Sequence, residues 1–215
     1  MTAQQTHLET QSEGHGEGQG KDAAAADVLA ALRAATSARH ATLDSSMPLS
    51  QPEPALVDYR DHLLLIRAWL APLEAWFAQF GDGPQDPRLL PTVQRLPALD
   101  ADLSHATMPP GGPEVPPVDT ASLRTDAAYR WGISYVIEGS QLGGAVLYRQ
   151  LAERFAPHPL RYLGPQSPGP RWKQFLDALR ANVHGPADIA AACEGACRAF
   201  DDLLARTAAV DGIAP

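Results

Sequence analysis

Apolar residues recur at helical spacing along most of this chain, and nowhere is there sustained alternation of apolar and polar positions. Residues at i, i+3, i+4 and i+7 share one side of a helix, whereas a half-buried strand needs a period of two. The pattern therefore predicts an all-α fold with essentially no sheet. Val28, Leu29, Leu32, Thr36, His40 and Leu43 mark a first helix from about Ala24 to Ser45, ended by Met47-Pro48. A second begins near Ser50-Gln51-Pro52-Glu53, which has capping-box spacing, and continues to Gly81, with Pro72 expected to bend or split it. A third, shorter region covers Pro87 to His105 and is interrupted at Pro97. The proline-rich stretch from Met108 to Val118 reads as a loop. A long helix follows from Thr120 to Phe155, then a Pro/Gly loop from Pro157 to Pro170. Helices from about Arg171 to Val183 and from Pro186 to Arg206 close the domain.

The 215 residues suffice for one domain with a real core. Residues 1–23 are nearly empty of large apolar groups and are expected to be a disordered tail, with His7 and His15 in it. The helical domain is expected over 24–208 and a flexible C-terminus over 209–215. A net charge of −8 gives no bulk attraction to nucleic acid. No apolar run is long enough to cross a membrane and no secretory signal is visible, so a cytoplasmic protein is expected. The two cysteines, Cys193 and Cys197, stand four apart on a helical stretch. That spacing suits two reduced, packed thiols rather than a disulfide or a zinc site.

Two features suggest chemistry. The first is a set of glycines within the long helix: Gly132, Gly139, Gly143 and Gly144. Each interior glycine costs about 1 kcal/mol relative to alanine, so something should offset them. A close helix–helix contact, a kink, or the approach of a flat ligand would each serve. Gly139 and Gly143 clear one side of the helix together. The second is His40, on the expected apolar side of the first helix with Asp44 one turn later. An Asp44 carboxylate accepting from imidazole Nδ1–H leaves Nε2 as a lone pair for a metal. The same pair also describes a core histidine satisfied by its neighbour. His62, His105, His158 and His184 carry no comparable partner in sequence.

Two segments together resemble the bacterial heme oxygenase family. One is Leu32-Arg33 followed by Thr36, His40 and Leu43-Asp44. The other is Tyr135-Val136-Ile137-Glu138-Gly139-Ser140-Gln141-Leu142-Gly143-Gly144, similar to that branch's distal-helix signature. The likeness extends over roughly Val28 to Ala205.

The resemblance implies a heme lying between the first helix and a kinked glycine helix. It makes His40 the proximal iron ligand, with Asp44 behind it. Gly139, Ser140 and Gly143 would lie on the catalytic, distal side, with Ser140 organising water for proton supply. The animal branch has aspartate at the position of Ser140, a departure that bears on the proton route. By the same resemblance Arg33, Tyr129, Arg149 and Gly144 are nominated to hold the cofactor, with Lys173 and Arg180 as weaker candidates. The implied reaction is the oxidative opening of heme to biliverdin, with release of iron and carbon monoxide. Heme is then both substrate and cofactor, O2 the oxidant, and a ferredoxin or flavin reductase the electron source. Iron release and chromophore supply to a bacteriophytochrome are both compatible purposes. Two other readings share the motifs: a protein that stores, carries or senses heme without degrading it, and a helical protein with another ligand.

Overall fold

A computed structural model describes residues 27–164 and 169–211, so the expected N-terminal tail lies outside the described residues, as does the end of the chain beyond Asp211. Six helices occur, α1 Val28–Ser46, α2 Leu56–Phe77, α3 Leu96–Leu103, α4 Ala127–Leu151, α5 Gly169–Asn182 and α6 Gly185–Asp211, with no strand among the described residues. No helix among those residues is long and apolar enough to cross a membrane.

Local chemistry explains where the helices begin. The Asp27 side chain accepts from Leu29 N at 3.2 Å and starts α1. Helix α2 begins at Leu56, later than the spacing of Ser50 and Glu53 predicted. Pro52 and Pro54 bias the residues before them away from helical geometry, and the cap passes to Asp58, whose carboxylate accepts from Ala55 N at 2.7 Å. Pro72 lies inside α2 without splitting it. Pro97 does not interrupt α3 but stands in its first turn, where a missing N–H costs nothing. Asp126 accepts from Tyr129 N at 3.1 Å and starts α4, so residues 120–126 precede the helix rather than belong to it.

The core is built around α6, which packs on both α1 and α4 and less extensively on α2. Trp69, Trp131, Tyr59 and Phe175 are among its largest fully buried side chains. Helices α4 and α6 cross at Gly132 and Gly195. A Cβ on Gly132 would fall on the Ala192 carbonyl, and one on Gly195 on the Tyr129 carbonyl. Cys193 and Cys197 are free and half-buried on α6, with the Cys197 thiol donating to Ala35 O at 3.4 Å. Burial pushes both thiols up, which keeps them protonated.

A buried polar cluster ties the outer segments to this core. The Asp102 carboxylate accepts from Tyr59 Oη at 2.8 Å and from Tyr162 N at 2.9 Å. Those bonds fasten the segment after α4 to α2 and α3.

Candidate functional site

The contacts of α5 fix the relative direction of α1 and α4. At one end, Arg180 of α5 lies 3.5 Å from Asp27, at the start of α1. Phe175 packs on Trp131 of α4, and Trp172 packs on Tyr135, one turn further along α4. Helix α5 is therefore antiparallel to both α1 and α4, and those two run in the same direction. Arg33 of α1 stands beside the Tyr135 hydroxyl of α4; burial pushes that phenol up and the guanidinium pulls it back. Beyond this level α1 reaches His40 and α4 reaches Gly139 and Gly143.

His40 is on the surface rather than in the core. Its side chain is 63% exposed and its Nδ1 lies 2.9 Å from Asp44 Oδ2. The ring centroid is 5.8 Å from that of Phe200 on α6. No partner for Nε2 occurs among the described residues. The buried side of α1 ends at Thr36, and no residue from Ser37 to Ser46 is buried. A core histidine satisfied by its neighbour is thereby ruled out. An accessible imidazole, oriented by a carboxylate through one nitrogen and free at the other, suits an iron ligand.

The glycines of α4 divide. Gly132 belongs to the helix crossing described above. Among the described residues, a Cβ on Gly143 would meet nothing within 4 Å, and one on Gly139 would meet only the rim of Trp172, at 3.7 Å. Around them Leu142 and Leu147 are half-exposed and Val146 is 43% exposed. Uncovered apolar surface beside positions without side chains fits a flat, apolar ligand. The residues present therefore pass the test for heme on both sides, an iron ligand on α1 and an uncrowded wall on α4.

Other nominated residues are placed differently. Tyr129 is buried against α6 at the crossing, where Arg124 lies over its ring, so it is not on the side shared by Arg33 and His40. The sequence put it near the glycines; its backbone is needed for the Gly195 contact instead. Gly144 faces Leu163 of the following loop, at 3.8 Å, and not the open side of Gly143. Arg149 is exposed in the last turn of α4, with no ion pair among the described residues. Lys173 pairs with Asp177 on α5 at 2.7 Å, and Arg180 is occupied near Asp27. Ser140 Oγ donates to Ile137 O at 2.8 Å and accepts from Gln141 Nε2 at 3.3 Å.

Several residues that matter here carried no signal in the sequence. Glu138, inside the quoted motif but assigned no role there, is held by Arg171 through two bonds of 2.8 and 2.6 Å and lies 2.9 Å from Arg95. This triad, in which Glu138 and Arg95 are buried and Arg171 half-buried, pins α4 one residue before Gly139. It lines a cavity of about 780 Å³ on the other side of α4, together with Glu74 and Ile137; neither His40 nor Gly139 and Gly143 line that cavity. Burial pushes the Glu74 carboxyl up, partly offset by the N–H and charge of Arg95. His158 also differs from its sequence reading. It does have polar partners, Thr107 Oγ1 at 2.8 Å and Asp102 Oδ1 at 4.0 Å, but it is buried and cannot reach a ligand outside the core. Trp172 was likewise not singled out.

A family model described as heme oxygenase matches residues 26–204. The chain belongs to the heme oxygenase family. It is 34% identical over 145 residues to a heme oxygenase of Xanthomonas campestris pv. campestris (strain 8004), covering 66% of this chain and 81% of that protein. The fold is that of a heme oxygenase from Neisseria meningitidis, solved with NO and CO bound. That match has a TM-score of 0.61 and 23% identity, over 88% of this chain and 94% of the other. Family membership makes this an enzyme for which heme is the expected ligand.

Proposed function

We propose that this heme oxygenase opens the heme ring to biliverdin, with dioxygen as oxidant and a ferredoxin or flavin reductase as electron source. The excised meso carbon leaves as carbon monoxide and the iron is released. The single observation that carries this reading is the oriented, accessible His40 on α1, with the uncrowded Gly139–Gly143 side of α4 at the same end of the bundle.

Bound heme supplies both the iron that activates dioxygen and the ring that is oxidised. The chain's own part is to bind, orient and shape. His40 offers Nε2 to the iron, and Asp44 fixes its tautomer and ring plane through Nδ1. As a neutral imidazole, His40 would be a weaker electron donor to the iron than a thiolate. Gly139 and Gly143 would leave the α4 backbone uncovered toward the ligand, with Trp172 alongside the Gly139 end. The Ser140 hydroxyl, between Ile137 O and Gln141, is a polar group beside that backbone suited to organise water. Arg33, with Tyr135 beside it, replaces Tyr129 as the pair placed to receive a propionate, and exposed Arg149 is a second cation on α4.

The test begins with the heme complex, mixed with ascorbate or a reductase in air. Loss of the Soret band with appearance of bile pigment is the expected result; a band that persists under oxygen means a heme carrier or sensor. His40→Ala should keep the fold, because the side chain is exposed, yet lose the iron–histidine stretch in the resonance Raman spectrum of the ferrous complex. An unchanged stretch would move the ligand elsewhere.

A further inference from the structure

We infer that Trp172 is the specificity-determining wall of this site: it closes the Gly139 end of the open side of α4, leaves the Gly143 end clear, and so fixes which meso edge of heme is opened. The inference rests on the heme-opening reading and adds a residue on a third helix, α5.

The asymmetry is local and large. Among the described residues, a side chain at Gly143 would meet nothing within 4 Å, whereas one at Gly139 would meet Cη2 and Cζ3 of Trp172 at 3.7 and 3.8 Å. The indole is also held in place. It stacks on Phe175 with centroids 5.6 Å apart and an interplanar angle of 14°, and it leans on Tyr135 at 5.6 Å. The residue before it, Arg171, is bound to both oxygens of Glu138 and donates to Pro91 O at 2.8 Å. Glu138 in turn precedes Gly139. One ion pair therefore fixes both sides of the gap between Trp172 and Gly139. The indole is half-buried, with its Cη2–Cζ3 edge toward Gly139.

A porphyrin has four meso edges, nearly equivalent in chemistry, so selectivity among them must come from the protein. An edge seated against a fixed indole is shielded, and attack falls to an edge on the Gly143 side, where nothing crowds the ring. Gly143 alone cannot provide this choice. It opens space but has nothing with which to exclude an orientation.

The test uses full-length protein carrying Trp172→Ala and Trp172→Phe. Two readouts are taken: the isomers of biliverdin formed, separated by chromatography, and the heme methyl resonances of the ferric cyanide complex, which report seating without turnover. For Trp172→Ala the expected result is a shift from one predominant isomer to a mixture, or a second set of methyl resonances, several-fold stronger than in the parent. Trp172→Phe, which keeps the stack on Phe175 but shortens the edge, should shift in the same direction by less. It decides the matter if the alanine variant does not fold. One isomer and one seating, unchanged in every variant that folds, would overturn the assignment. If the parent protein opens no heme, the activity reading fails separately, and the methyl resonances still decide whether Trp172 sets the seating.

Discussion

The two halves of α4 lead opposite lives within one unbroken helix. From Tyr129 to Glu138 every residue but Tyr135 is buried; from Gly139 to Gln150 none is. The change falls at Glu138, where Arg95 and Arg171 hold the helix to its surroundings. Glycine occurs on both sides of that point for different reasons. Gly132 lets two backbones approach closer than any side chain permits, so its cost is offset by packing within the fold. Gly139 and Gly143 are not compressed by anything comparable, so their cost is not recovered in the free protein. Helix α1 repeats the pattern, buried through Val28, Leu29, Leu32 and Thr36 and with no buried residue beyond. The end of the bundle that carries His40 is the end the core does not complete.

This division is broken most directly by giving the two kinds of glycine the same methyl group. Gly132→Ala places a carbon on the Ala192 carbonyl, a rigid backbone atom that cannot swing away. Overpacking usually costs about 1–3 kcal/mol, and a backbone clash belongs at or above the top of that range. We expect a loss of about 3 kcal/mol or more in denaturant melts, with a fall in Tm of roughly 6–12 °C by the size scaling for such a domain. A loss under about 1 kcal/mol would mean that α4 and α6 can part without penalty, and that Gly132 is not the closed counterpart of Gly143.

Much of the fold was legible in sequence, because helical periodicity survives wherever one side is buried. The order of the helices, and the two segments carrying His40 and Gly139, were read correctly on that basis. What sequence could not give was the depth of each position. The periodicity of α1 continues through His40 and Leu43, yet full burial stops at Thr36, because the last turns are only partly covered, Leu43 against the edge of the core and His40 beside Phe200. Spacing placed Tyr129 near the glycines but could not show that α6 covers it. The Glu138 clamp and the Trp172 wall depend on α5 and on the segment around Arg95. Those are contacts across long separations that no local pattern encodes.

The same division separates the histidines, and pH sharpens it. His62 on α2 is buried, its Nδ1 without a partner among the described residues, and burial pushes it down to about 4 from an ordinary value near 6.5. Its folded value lies below its unfolded one, so the fold excludes a proton that the unfolded chain binds. Stability from this residue is complete above about pH 6.5 and is lost as pH falls toward 4. The difference corresponds to about 3 kcal/mol at most. His62→Leu should flatten the fall in stability between those pH values, read from denaturant midpoints. An identical pH profile in parent and variant would show that His62 admits water, and that the buried side of α2 is less dry than that of α4.

The smallest effect has the opposite sign from the first. Gly143→Ala adds its methyl where no described residue lies within 4 Å, so the expected energetic change in the free protein is the gain in helix propensity, about 1 kcal/mol. Such a gain raises Tm by roughly 2–4 °C. The same methyl occupies space next to the backbone where the reacting oxygen must fit, so ring opening should slow while the free protein becomes more stable. A side chain that improves the fold and impairs the reaction is what a stability–function trade-off looks like at a single position. Were Gly143→Ala instead to destabilise the free protein, the position would be serving packing, as Gly132 does. Were it to stabilise the protein and leave turnover untouched, the open side of α4 would not be the side that heme meets.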